Sequence, residues 1–173
     1  EQRRAQELDA VIENMTEGVS IANAKGQIMR INRVGREILD VPPRKPGEYG
    51  LLQDYFGALD LRYPDGRPIP FQAWPPNRAL KGETFADMEV ILTRADGKQF
   101  DLLFGGSAVR DEAGNILLAV NVWRDITAFR ELEKRREEFI HIVAHDIRAP
   151  LTIVLGHAQL IVQAAKAGQI DKV

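Results

Sequence analysis

Three histidines, His141, His145 and His157, all lie in the last third of the 173-residue chain, and one of them is placed for nucleophilic chemistry. His145 is followed by Asp146, Ile147, Arg148, Ala149, Pro150 and Leu151, with Phe139 six residues ahead of it. On a helix that advances ~100° per residue, Ile140, Val143, Ile147, Leu151, Val154, Ala158 and Ile161 gather on one narrow stripe. Such a stripe is a seam for burial against partner helices. His145 projects roughly 160° from its middle. A core histidine would lie within the seam, whereas this imidazole is held in water, where a neutral ring nitrogen can act as a nucleophile. Asp146 can hold the proton of the other ring nitrogen, fixing the tautomer and favouring a developing imidazolium. Pro150 has no N–H and deletes the helical bond to the carbonyl of Asp146. It is either a kink beside the histidine or a plain helix stop, and the seam running on to Ile161 favours the kink.

The ordered set Phe139, His145, Asp146, Ile147, Arg148, Pro150 and Leu151 closely resembles the H-box of the sensor histidine kinases. The resemblance implies that His145 accepts the γ-phosphoryl group of ATP and passes it to an aspartate on a response regulator. The parent is then a histidine protein kinase, and phosphoryl transfer of this kind is mainly positioning plus charge management. Arg148 has two readings, a contact to phosphate or to the acidic partner, and a solvated surface charge. In family members that also dephosphorylate their regulator, the fourth residue after the histidine is often Thr or Asn. Here it is Ala149, which has no polar side chain, so the resemblance supports phosphotransfer and puts phosphatase activity in doubt.

Composition bounds what positions this helix. The chain is 45% hydrophobic and 28% charged with a net charge of −2, which carries no nucleic-acid footprint. No apolar run approaches the ~20 residues of a membrane span, and no signal peptide is present. There is no cysteine, so disulfides, thiolate metal sites and cysteinyl cofactor adducts are excluded. Residues 1–127 contain no histidine, which excludes a histidine-ligated haem or a histidine-rich metal site there. No metal site and no cofactor are expected in the chain itself.

Ahead of the histidine helix, strand and turn signals alternate. RRAQELDAVIENM reads as a helix, GVSIA and GQIMRIN flank the hairpin turn NAKG, and RVGREIL reads as a short helix. Residues 40–76 hold eight of the nine prolines and read as loops and short helical turns. NRALKGE is another helical turn, followed by strands DMEVILTR, KQFDLLFGGSAVR and ILLAVNVWRD. This order gives an antiparallel α+β domain, and it resembles a PAS domain over residues 1–127. The features that carry the resemblance are Glu17-Gly18-Val19, Asn32, Gly82-Glu83, Asp96-Gly97, Asp111-Glu112-Ala113-Gly114 and the exit Asp125-Ile126-Thr127. The fold expected is a five-stranded PAS-like sheet with short flanking helices, followed by a long coiled-coil or helical-hairpin helix. In the family, the exit Asp-Ile-Thr ties the sheet to the outgoing helix, which implies a signalling role for Asp125 and Thr127. A simple N-terminal cap by Asp125 is the alternative.

Residues 128–138 are charge-laced, with Glu131 and Arg135 as i, i+4 partners, and read as a parallel coiled coil. Residues 139–173 read as the first helix of the dimerisation and histidine-phosphotransfer domain, with a turn at QAAKAGQIDKV. The chain starts with Glu and stops short of an ATP-binding domain, so it is expected to be an excerpt that does not phosphorylate itself. ATP and Mg would belong to that missing domain.

Alternation along the strands points Met88, Val90, Leu92, Phe100, Leu102, Phe104, Ala119, Asn121 and Trp123 inward. Phe100, Leu102, Phe104, Asn121 and Trp123 are candidate lining for a PAS ligand of unknown identity. Asn121 needs hydrogen-bond partners, which a ligand, the protein or water can supply. The expected partners are a second copy of the chain through helix 128–165, the parent's ATP-binding domain and a receiver domain. Neither nucleic acid nor membrane contact is expected within the excerpt, whose place is the cytoplasm with any membrane anchor upstream. The competing reading is a non-catalytic dimerisation and scaffold module that a separate kinase domain phosphorylates.

Overall fold

Residues 23–26 turn the chain between β1 (Gly18–Asn23) and β2 (Gln27–Ile31). The Asn23 carboxamide oxygen accepts from the N–H groups of Lys25 and Gln27, both at 3.0 Å, and Gly26 takes the φ of +76° that the turn requires. The computed structural model describes residues 2–45 and 47–170. It divides into two units, Glu1–Ala128 and Phe129–Val173.

In the first unit, α1 (Gln2–Glu13) precedes the β1–β2 hairpin and α2 (Arg33–Leu39) follows it. The proline-rich stretch holds β3 (Gly50–Leu51), α3 (Leu52–Phe56), β4 (Asp60–Arg62) and a 3-10 turn at Phe71–Ala73. Then come α4 (Pro75–Leu80), β5 (Phe85–Thr93), β6 (Gln99–Arg110) and β7 (Ile116–Asp125). The sheet runs β3-β2-β1-β7-β6-β5-β4 with every pairing antiparallel. Its five long strands are those that alternation predicted. The two short edge strands were not, because they lie in the proline-rich segment read as loop. Between β5 and β6, Arg94 bonds to Asp96 and, with the Lys98 N–H, holds that carboxyl down to about 2, closing a tight turn over Gly97.

Alternate residues of β5, β6 and β7 form the core, with Val90, Leu92, Phe100, Leu102, Phe104, Ala119 and Trp123 all buried and Met88 packed at its margin. α4 lies against β6 and β7, and α2 against β1. Trp123 stacks on Phe104 with ring centroids 5.4 Å apart. The indole fits because two neighbours are glycine: a Cβ on Gly18 would run into it, and one on Gly35 would lie 2.9 Å from its Cζ2.

Asn32 joins these pieces. It is fully buried, caps α2, and uses every hydrogen-bonding site of its side chain. Its oxygen accepts from the N–H groups of Val19 and Gly35, each at 2.9 Å, and its amide donates to the carbonyls of Ile12 at 3.1 Å and Glu17 at 2.8 Å. Asn32→Ala would strand the buried Val19 N–H and remove the cap. We expect a loss of about 2–4 kcal/mol in chemical denaturation; a loss under about 0.5 kcal/mol, the scale of an ordinary surface substitution, would contradict this role.

The second unit belongs to α5 (Thr127–Ile170), one helix of 44 residues that passes through Pro150 without ending. Pro150 is therefore not a stop. Residues 163–170, expected as a turn, are helical as well, and residues 171–173 of that expected turn lie outside the described residues. By length and composition alone, part of Thr127–Lys166 is apolar enough to cross a membrane, although no uncharged run had suggested it. Interruption by Asp146, Arg148 and His157 and the striped arrangement of its apolar residues fit helix–helix burial instead.

Candidate functional site

His145 and Asp146 stand clear of the helix, with side chains 78% and 75% exposed. Asp146 Oδ1 lies 3.5 Å from His145 Nδ1, long for a hydrogen bond but within reach of one small rotation. With Nδ1 turned to the carboxylate, Nε2 is the ring nitrogen left facing solvent. His157 is exposed too, but its Nδ1 lies 2.9 Å from the carbonyl of Ile153, one turn back on its own helix. Arg148 follows His145 by nearly one turn and is exposed. Pro150 offers no N–H to the Asp146 carbonyl, and two residues on, the Thr152 hydroxyl donates to the Arg148 carbonyl at 2.8 Å. The backbone just behind the histidine is thus bonded differently from an uninterrupted helix.

The seam residues Ile140, Val143, Ile147, Leu151, Val154 and Ile161 are exposed in the single chain. The helix also exposes Ile142, Ile153 and Leu160, which fall roughly 130° round from the seam on the opposite flank of the helix. Reading one stripe missed this second one, although the spacing of these residues would have revealed it. A helix apolar on two sides packs against more than one neighbour.

At the head of α5, Asp125 Oδ1 accepts from the Thr127 N–H at 2.9 Å and the Thr127 hydroxyl at 2.6 Å. The same hydroxyl oxygen accepts from the Asp101 N–H at 2.9 Å, and the Ile126 N–H donates to the Asp101 carbonyl at 2.8 Å. Cap and tie, the two readings of this motif, are therefore one network. Asp125 holds the first turn of the helix, and Thr127 bonds that turn to β6.

Inside the sheet, Asn121 is fully buried and pairs in register with Ser20 on β1 and Gly106 on β6. Among the described residues, no protein group bonds to either amide atom of Asn121, to the Ser20 hydroxyl or to the Trp123 indole N–H. Four such atoms in one apolar interior are expensive, at about 1–3 kcal/mol each. The fold itself supplies no partner to the Asn121 amide, and a small molecule or water would have to do so. Asn121→Leu, nearly equal in volume, is expected to raise the unfolding free energy of the purified chain by about 1–3 kcal/mol. A loss of stability would instead show that the amide is engaged by a group bound in the folded protein. The other lining candidates, Phe100, Leu102, Phe104 and Trp123, are buried as well, Phe104 and Trp123 as a register pair next along from Asn121 and Gly106.

Sequence reading also missed a surface cleft of about 330 Å³ between α1, β2 and the 42–45 loop. Arg30, Arg36, Arg44 and Lys45 line it together with Asp9 and Glu13, the carboxylates that pair with Arg30 and Arg36. Burial, and then the neighbouring Arg36 cation, depress the pKa of Arg30.

Short helices flanking an antiparallel sheet with five long strands, and a long helix leaving its last strand, make this an α+β protein of the PAS and light-oxygen-voltage type. An RNA-binding light-oxygen-voltage receptor superposes on 82% of this chain and 38% of its own at a TM-score of 0.56 and 14% identity. A light-oxygen-voltage domain studied with a flavin analogue does so over 76% of this chain and 94% of its own, at 0.51 and 16%. These likenesses establish the fold alone. No family model matches the chain. In sequence it is similar to a sensor histidine kinase: the sensor histidine kinase WalK of Bacillus subtilis (strain 168) is 24% identical over 163 residues, 91% of this chain. The chain spans 23% of that protein's length.

Proposed function

We propose that the chain is the sensory and phosphoacceptor portion of a sensor histidine kinase, with the PAS domain controlling phosphorylation of His145. The observation that carries this reading is the exposed imidazole, beside Asp146 and within the H-box sequence, on a helix that starts at the last strand of the PAS sheet. In the proposed step the lone pair of Nε2 attacks the γ-phosphorus of ATP. An N–P bond forms, the bond to the β–γ bridging oxygen breaks, and ADP leaves with that electron pair. Nδ1 keeps its proton, and the Asp146 carboxylate stabilises the positive charge that develops on the ring. The phosphoryl group then passes to a receiver-domain aspartate, with Arg148 placed to meet the acidic partner. Pro150 loosens the helix next to the reacting residue. The domain division proposed is PAS to residue 127, signalling helix over 128–138, and phosphotransfer helix from 139, acting as a homodimer on the cytoplasmic side where ATP is found.

The chain, supplied with the parent's ATP-binding domain and ATP, should acquire an acid-labile, base-stable phosphate. His145→Gln is expected to abolish it, while His157→Gln leaves it in place. Undiminished labelling of His145→Gln would overturn the reading.

A further inference from the structure

His141 stands four residues before His145 on the same unbroken helix, and both side chains are exposed. Side chains four apart on a helix are neighbours, with Cβ atoms about 5–6 Å apart. Two imidazoles at this spacing are the arrangement that places both ring nitrogens on one metal ion in helical zinc sites. The pair has the correct chemistry to match. Neutral imidazole suits zinc, copper and nickel, and His145 Nε2 is free because Nδ1 is the atom facing Asp146. Glu137 and Glu138, one turn before His141, add negative charge on the approach side. His157 lacks this geometry, having no histidine or acid four residues to either side, and its Nδ1 is turned to the backbone. No group of three or more metal-ligating side chains is gathered among the described residues, so water must complete the coordination sphere.

We propose that His141 and His145 form a two-imidazole chelate for a divalent transition ion, and that occupancy of this site blocks phosphorylation of His145. The site itself stands on the helix geometry; only the block rests on the phosphoacceptor reading above. The ion and the γ-phosphorus compete for one lone pair on His145 Nε2. The coordinate bond must break before an N–P bond can form, so the ion acts as a competitive inhibitor that changes nothing covalently. His141 has no part in the phosphoryl step and serves only to raise the local concentration of the ion.

The test uses Ni²⁺ and Zn²⁺ as probes, titrated calorimetrically into the whole chain. One ion per chain is expected for the unaltered protein. His141→Gln and His145→Gln should each weaken binding by roughly tenfold or more, the loss of the second donor of a chelate, and His157→Gln should leave it unchanged. Circular dichroism of each variant confirms that the helix is retained. Equal affinity in His141→Gln and the unaltered chain would overturn the site. In the phosphorylation assay, the unaltered chain and His141→Gln are each compared with their own metal-free level. The Zn²⁺ concentration that halves labelling should rise for His141→Gln by the factor seen in binding, and an unshifted value would overturn the block. Failure of the unaltered chain to label without metal, alongside intact two-histidine binding, would sink the phosphoacceptor reading and leave the metal site standing.

Discussion

A single residue inserted near Arg135 is expected to lock the kinase output of the full-length parent high or low, whereas seven inserted residues should leave it regulated. From Asp125 to Ala149 the sequence has no proline and no glycine, and the whole stretch from Thr127 is helical. Such a segment has no hinge to absorb a twist. One added residue turns everything downstream by ~100° and advances it ~1.5 Å, while seven come within ~20° of the original phase. The exit network makes the head of the helix a fixed reference, because Thr127 is bonded to both Asp125 and Asp101. Output is read as phosphorylated receiver with and without stimulus. Indifference to insertion length would leave the PAS domain as a dimerisation handle, as the scaffold reading holds. Thr127→Val, which keeps the shape and deletes the hydroxyl, should weaken regulation in the same assay.

Ile147→Asp should convert the homodimer we propose into a monomer. Ile147 is half exposed in the single chain and lies in the centre of the seam. In a two-fold dimer the substitution is counted twice, since each copy presents the same patch to the other. Burying an unpaired carboxylate in place of isoleucine costs about 3 kcal/mol or more per copy. Roughly 6 kcal/mol per dimer is a ~10⁴-fold weakening. Sedimentation at tens of micromolar should show dimer for the unaltered chain and monomer for the variant, with the PAS domain still folded by its thermal transition. A monomeric unaltered chain would contradict the seam's role.

The sequence displayed the periodic parts of this structure and hid the parts made by distant contacts. The long strands and the histidine helix were legible because alternation and ~100° spacing repeat over many residues. β3 and β4, of two and three residues, are too short to show a period and exist only as edges on β2 and β5. Asn32 stood in the sequence only as one feature of the PAS resemblance, yet its partners come from Ile12, Glu17, Val19 and Gly35, a set that only the tertiary fold assembles. Gly18 and Gly35 likewise have their meaning in the Trp123 indole that lies against them. In the candidate site, His145 and Asp146 were legible by order and spacing. The second apolar stripe and the His141 pairing are equally matters of helical spacing and are legible by the same rule.

The measurement that bears most directly on this account is site-resolved NMR of the phosphorylated chain, with ¹⁵N-labelled imidazoles observed against ³¹P at alkaline pH. The account predicts a single phosphoramidate, at Nε2 of His145, that disappears when a receiver domain is added. A phosphate on His141 or His157, or on Nδ1 of His145, would contradict it.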